Sequence, residues 1–73
     1  MSDINFEIIE KIGVLSKSDK GWEKQLNLIS WNEREPKYDL RDWSPDGKKM
    51  SKGITLSKEE LSALKDLLNE ITI

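Results

Sequence analysis

Aromatic and basic side chains that suit a nucleic-acid strand lie together in the middle of this 73-residue sequence. Arg41 and Trp43 stand two residues apart in the run KYDLRDW, so a β-strand would place both on one face. Trp31 ends the preceding apolar run and would lie on the matching face of the neighbouring strand. Because an indole stacks on a base and a nearby cation neutralises phosphate, the spacing predicts a stacking platform.

Three lysines follow directly after this run. The tetrapeptide Ser-Pro-Asp-Gly at residues 44–47 is typical of a tight turn, because proline presets φ at its second position and glycine relieves the fourth. Such a turn would bring Lys48, Lys49 and Lys52 toward the end of the platform. The chain has a net charge of −2, yet residues 47–58 hold four lysines and no acid. A local positive rim is therefore predicted, with a solvated loop that binds nothing as the alternative.

Lys37 at the start of the third strand is also predicted to contact the nucleic acid, and four residues of the second strand are additional candidates: Trp22, Lys24, Gln25 and Asn27. Strict alternation puts Trp22 on the face of Leu26, where core or helix-edge packing competes with ligand contact. Gln25 and Asn27 fall on the face of Trp31.

The leading residues also have structural alternatives. Trp31 and Trp43 would equally well cover the second face of the sheet in a dimer core. Arg41 stands between Asp39 and Asp42, so an ion pair within the fold competes with phosphate contact. Both interpretations stay open at this point.

Composition excludes several kinds of chemistry. The chain has no cysteine and no histidine, which removes disulfides, thiolate metal sites and the commonest general base. The four glycines are scattered rather than gathered into a phosphate-binding loop. We therefore expect no enzyme activity, no metal site and no small-molecule cofactor. An acid-bearing N-terminus and the lack of a run of about 20 apolar residues predict a cytoplasmic protein with no membrane partner.

The length sets the domain organisation. One domain, residues 1–73, accounts for the whole chain. A chain below roughly 80 residues buries a thin core and often needs further stabilisation by a disulfide, a metal or a partner subunit. Since cysteine is absent, we expect self-association to supply that stabilisation.

Four strands and one helix must position these residues. Strands are predicted at residues 6–16, 22–32, 37–43 and 52–56, with a bulge or bend in the first, where Gly13 interrupts the apolar pattern. Ser57 and Glu60 form a capping box that starts a helix ending near residue 71. The order β-β-β-β-α with short turns predicts an α+β fold, an antiparallel meander packed against one helix.

One face of the sheet must accept that helix. Its predicted members alternate along the strands: Leu26, Leu28, Tyr38, Leu40, Ile54 and Leu56. The facing stripe of the helix is expected to be core and consists of Leu61, Leu64, Leu67, Leu68 and Ile71. The other face would stay open and show Gln25, Asn27, Trp31, Arg41 and Trp43.

Short motifs in a specific order resemble a known family. FEIIE, KGW, SWN, EPKYD, RDWSPD and KGITLS resemble the C-terminal domain of the transcriptional coactivator positive cofactor four, and its YdbC-like bacterial relatives more closely. The resemblance covers about residues 5–70. It implies a homodimer in which each subunit is a curved four-stranded antiparallel sheet backed by a C-terminal helix. It also implies sequence-tolerant binding of single-stranded DNA, in transcription regulation or genome maintenance.

The resemblance also implies roles for individual residues. Arg41 matches an arginine that contacts the nucleic-acid backbone, while Trp31 and Trp43 match aromatic stacking positions. Lys52 matches the lysine before a Gly-Ile-Ser-Leu motif, and Lys48 matches a lysine upstream in that loop. The loop before Lys52 is shorter here than in the family. The acidic serine-rich region of the eukaryotic proteins is absent, so the resemblance implies strand binding but not direct coactivation.

The expected function is therefore that of a dimeric single-stranded DNA-binding protein in the cytoplasm, with association with the nucleoid as the alternative location. RNA is the alternative strand, since no residue reports on the 2′-hydroxyl group. The alternative function is a protein-interaction module whose open sheet face is only a dimer or partner interface.

Overall fold

The computed structural model describes residues 5–73, which form one antiparallel sheet and one helix. The elements are β1 (Phe6–Lys17), β2 (Glu23–Trp31), β3 (Lys37–Trp43), β4 (Ile54–Leu56) and α1 (Lys58–Glu70). The strands are ordered β1-β2-β3-β4, and each neighbouring pair is antiparallel. The predicted α+β architecture, a four-stranded antiparallel sheet followed by a C-terminal helix, is confirmed.

The first strand is irregular where its apolar pattern is irregular. Its pairing with β2 shifts register three times: between Ile8 and Glu10, between Lys11 and Gly13, and again near the end of the strand. Such bulges bend a strand and increase its twist. The predicted bulge is therefore confirmed, and β1 curves across its neighbour.

The turn and the helix start are built as their residues predict. The Gly47 N–H donates to the Ser44 carbonyl over 2.9 Å, and Gly47 has a φ of 74°, which glycine adopts without strain. The Ser57 hydroxyl accepts from the Glu60 N–H over 3.1 Å, and the Glu60 carboxylate accepts from the Ser57 N–H over 2.8 Å. The helix ends one residue earlier than predicted, because Ile71 takes an extended backbone.

The last strand is shorter than predicted. It begins at Ile54 rather than at Lys52. The preceding residues are tied to the end of β3 by an isolated bridge between Trp43 and Met50 and by the Ser51 N–H, which donates to the Asp42 carbonyl over 3.0 Å. These contacts replace a continuous ladder and close the loop against β3.

The core lies on the face that was predicted to be open. On the face that was predicted to accept the helix, the strand register brings the apolar residues together as predicted, with Leu26 across from Leu40. The most buried residues are nevertheless Ile29, Asn27, Asp39 and Trp43, all on the other face. The prediction of an open face is wrong because the curved β1 brings Phe6 over Trp31 and Trp43.

The helix packs only thinly on the sheet. It contacts β3 and β4, and none of its residues is buried. Leu64, Leu67 and Leu68 are 37%, 59% and 51% exposed, so their assignment to the core is wrong for a single chain. The reason is geometric: the sheet and helix leave between them an apolar groove of about 480 Å³, lined chiefly by leucines. Within residues 5–73, no helix is long and apolar enough to cross a membrane.

Candidate nucleic-acid interface

Trp31, Arg41 and Trp43 share one face of the sheet, hereafter the aromatic face. The Arg41 guanidinium carbon lies 4.8 Å from the Trp31 ring centroid, a cation–π contact between neighbouring strands. The period-two prediction that these two residues share a face is thereby confirmed, and the structure adds that they are in contact. A cation seated on an indole is a combination that single-strand-binding proteins use along their grooves.

Arg41 is held in place by a buried carboxylate. Its Nε and Nη2 donate to the two oxygens of Asp39 over 2.6 and 2.7 Å, and the Thr55 hydroxyl donates to the same carboxylate over 3.1 Å. Asp39 is fully buried, whereas the Arg41 side chain is 14% exposed. The structural ion pair considered for Arg41 is therefore present with Asp39, while Asp42 pairs with Lys24 at 3.4 Å.

The ion pair leaves part of the guanidinium available. Nη1 of Arg41 donates to the Met50 sulfur and to the Ser51 carbonyl, both at 3.4 Å, and this distance is long for the N–H···O bond to Ser51. Asp39 thus occupies one edge of the guanidinium, and the edge that carries Nη1 is weakly engaged.

Both tryptophans of the aromatic face contact a residue outside the predicted site. The Phe6 ring centroid lies 5.4 Å from that of Trp31 and 5.7 Å from that of Trp43, with tilted rings. Trp43 is only 3% exposed. The indole N–H groups of Trp31 and Trp43 are buried, and neither finds a partner within residues 5–73. Phe6 lies across from Trp31 in the strand register, and the sequence pattern did not predict this pairing.

A row of amides continues the aromatic face along β2. Gln25 lies across from Arg41, and Asn27 lies across from Asp39. The Asn27 amide donates to Gln25 over 3.1 Å, and the Gln25 amide donates to Glu23 over 2.8 Å. Asn27 is almost fully buried, so it forms part of the floor beneath the site rather than its surface.

The residues from 48 to 52, hereafter the lysine loop, adjoin the end of β3. Lys48, Lys49 and Lys52 are all exposed. The Ser44 N–H donates to the Lys49 carbonyl, and the Lys49 N–H donates to the Ser44 hydroxyl, both over 2.9 Å. Through Met50 the loop contacts Arg41, so the cationic residues border the aromatic face.

One acid belongs to the base of the lysine loop. Asp46 accepts hydrogen bonds from the Ser44 hydroxyl at 2.6 Å and from the Lys48 N–H at 2.9 Å. The Ser44 hydrogen bond, followed by that from Lys48, lowers the pKa of Asp46 below its ordinary value. This carboxylate therefore stays charged and offsets part of the positive charge of the loop.

Two of the additional candidates lie away from this group. Trp22 and Lys24 are on the side of Asp42, where Lys24 is engaged in its ion pair and Trp22 lines a shallow cleft. Lys37 is exposed at the start of β3, opposite Ile29; it lies at the far end of that strand from Trp43 but on the aromatic face, near the end of β2 that carries Trp31. The structure brings together Trp31, Arg41, Trp43 and the lysine loop.

Gly53 supports the site in a way that sequence reasoning missed. A Cβ at this position would lie 2.5 Å from the Leu40 carbonyl oxygen and closer still to Cβ of Arg41. The backbone therefore approaches β3 at the arginine itself, which only glycine permits. The glycine of the Lys-Gly-Ile motif was visible in the sequence, but its neighbour across the sheet was not.

Comparison with known proteins places the chain in a family. The model of the family described as Transcriptional Coactivator p15 (PC4) matches residues 18–67, more than half of the chain. The chain belongs to this family. An uncharacterized protein of Treponema pallidum (strain Nichols) is 49% identical over 71 residues, which are 97% of this chain and 84% of that protein. Membership of the PC4 family, which is nucleic-acid-binding and non-enzymatic, supports a DNA-binding or transcription-related role. The matched segment includes the aromatic face and the lysine loop but not Phe6.

Proposed function

We propose that this protein binds single-stranded DNA, with little sequence preference, on the aromatic face and the lysine loop. The observation that carries the proposal is the Arg41–Trp31 stack, 4.8 Å apart, on the face that also holds Trp43. Bases stack on indoles whatever their identity, because every base has a flat π-face. A strand rather than a duplex is expected, because a paired base cannot offer that face.

The proposed roles follow from position on the aromatic face and from charge. Trp31 and Trp43 stack on bases, and Nη1 of Arg41, which Asp39 does not hold, meets a phosphate. The backbone beyond it is neutralised by Lys48, Lys49 and Lys52. Lys37 would extend the path at the other end of β3. Residues 1–73 act as one binding domain without catalytic activity, in the cytoplasm or at the nucleoid.

We also propose that the protein acts as a homodimer through the helix side of the sheet. A single chain exposes 6055 Å² of surface, against roughly 4,700 Å² for a monomeric protein of this mass. Its radius of gyration is 13.4 Å, against about 11 Å for a compact chain of this length. The exposed leucines of α1 and the apolar groove beside them suit a second copy of the same surface.

A pair of charge reversals tests the proposed site. Lys52→Glu places an acid at the edge of the aromatic face, and we expect it to weaken binding of labelled oligothymidine by at least about tenfold in an anisotropy titration at low salt. Lys58→Glu is the matched control, because it makes the same charge change in the first turn of α1, where an acid suits the helix dipole.

The control variant should bind within about twofold of wild type. Equal losses in both variants would indicate nonspecific charge attraction and contradict the proposed location. No binding by the wild-type protein would favour the protein-interaction module instead.

A further inference from the structure

The faces that would stack on bases are in contact with an aromatic ring of the protein itself. The Phe6 ring bridges the two indoles, at 5.4 Å from Trp31 and 5.7 Å from Trp43. Trp31 also carries Arg41, and Trp43 is nearly inaccessible. Because Trp31 is half-buried and Trp43 almost fully buried, a base can stack between the two indoles only if the Phe6 ring moves.

The cluster formed by Phe6, Trp31 and Trp43 is unusual in its hydrogen bonding. A buried tryptophan normally finds an acceptor for its N–H, and buried donors without partners are rare. Here the N–H groups of Trp31 and Trp43 are both buried, and neither has a partner among residues 5–73. A purely structural core would not be expected to leave two such donors together. Base carbonyls and phosphates are acceptors that would satisfy them.

The segment that carries Phe6 is attached in a way that permits local movement. It lies on β1, which is at the edge of the sheet. Pairing from Phe6 to Ile8 is separated from the rest of β1 by a register shift. Just before it, backbone and side-chain hydrogen bonds of 2.6 and 3.2 Å join Asn5 to Asn32. Departure of the ring from the cluster would therefore not require the chain on either side to detach.

We propose that Phe6 occupies the base-binding cleft of the free protein and is exchanged for a nucleobase when a strand binds. The inference rests on the proposed function and assigns a residue outside the family match to the site. The ligand is a base that presents a flat face to the indoles and a carbonyl acceptor to an indole N–H. Phe6 thereby sets the threshold for binding, because only ligands that stack well displace it.

Affinity measurements on Phe6 variants test the exchange. Phe6→Ala should bind oligothymidine roughly three- to tenfold more tightly than wild type, because the open cleft no longer competes with the ring. Phe6→Leu fills the space without a flat ring and should give a smaller gain. Ile8→Ala is the control: it removes a half-buried apolar side chain from the same segment and should leave affinity within about twofold.

A second measurement does not depend on affinity. The three tryptophans give three indole N–H signals in an NMR spectrum. Two of them should be protected from solvent exchange in the free wild-type protein, become exposed in Phe6→Ala, and shift when oligothymidine is added. Weaker binding of oligothymidine by a folded Phe6→Ala variant would instead indicate that Phe6 belongs to the stacking platform. Unchanged binding would indicate that Phe6 is a core residue without a role in binding.

These experiments distinguish a failure of the proposed function from a failure of the Phe6 exchange. If wild-type protein does not bind a single strand, the proposed function fails. If wild type binds but Phe6→Ala binds no more tightly than Ile8→Ala, the exchange alone is overturned. Circular dichroism of each variant establishes that the fold is retained.

Discussion

Asp39 and Arg41 decide what the aromatic face presents to a ligand. The carboxylate is fully buried and holds one edge of the guanidinium, while the Trp31 ring lies beneath it. The positive charge of Arg41 is thus compensated inside the protein. Its contribution to strand binding should come from stacking and directional hydrogen bonds more than from release of counterions.

The buried pair gives a prediction about stability. Asp39→Asn should lower the free energy of unfolding by about 3–5 kcal/mol, because it leaves a guanidinium without its counter-charge in a buried position. Urea denaturation followed by tryptophan fluorescence measures the change. Asp42→Asn is the control, since its pair with Lys24 is exposed and should contribute at most about 1 kcal/mol. Equal effects of the two substitutions would contradict the assigned role of Asp39.

Sequence reasoning reached part of this site. A period of two placed Arg41 with Trp43 and with Trp31, because alternation depends only on strand formation. It left the ion-pair partner open, since Asp39 stands two residues before the arginine and Asp42 directly after it. The choice depends on which face is buried, and Asp39 shares a face with Arg41 whereas Asp42 does not.

At the scale of elements, the approach of β4 to β3 depends on one glycine. Gly53→Ala should lower the free energy of unfolding by about 1–3 kcal/mol, because its methyl group would overlap the Leu40 carbonyl and the base of Arg41. Gly13→Ala is the control, because a Cβ there meets no described atom within 4 Å and should be tolerated. Thermal melts of both variants make the comparison, and equal stability of the two would contradict the close approach.

The elements themselves were predictable, but the side of the sheet that forms the core was not. Alternation predicts β3 at its observed bounds, and the capping box predicts the start of α1, because both depend on local contacts. Burial of the aromatic face depends on the bends in β1, which carry Phe6 across the sheet. The adjacent isoleucines and Gly13 signal a bend, but they do not specify its direction.

At the scale of the whole molecule, the leucines of α1 have too little to pack against within one chain. If a second copy covers them, Leu64→Glu should convert the dimer to a monomer, because a carboxylate cannot be desolvated in an apolar interface. Light scattering coupled to gel filtration measures the mass. Ser62→Glu adds the same charge outside the groove and should leave the dimer intact. A monomeric wild-type protein would contradict the proposed assembly.

The need for a partner was predictable from length and composition, whereas the surface that needs it was not. The helical period identifies the apolar stripe without specifying whether the sheet or a second chain covers it. In the structure the helix meets only β3 and β4, so most of the stripe remains exposed.

The central claim is that the aromatic face prefers a single strand. The most direct measurement compares the affinity of the wild-type protein for oligothymidine with that for a duplex of the same length, across a range of salt concentrations. We predict tighter binding of the single strand, with a log–log salt slope of about −2 if the three loop lysines each neutralise one phosphate. Equal or tighter binding of the duplex would contradict the claim.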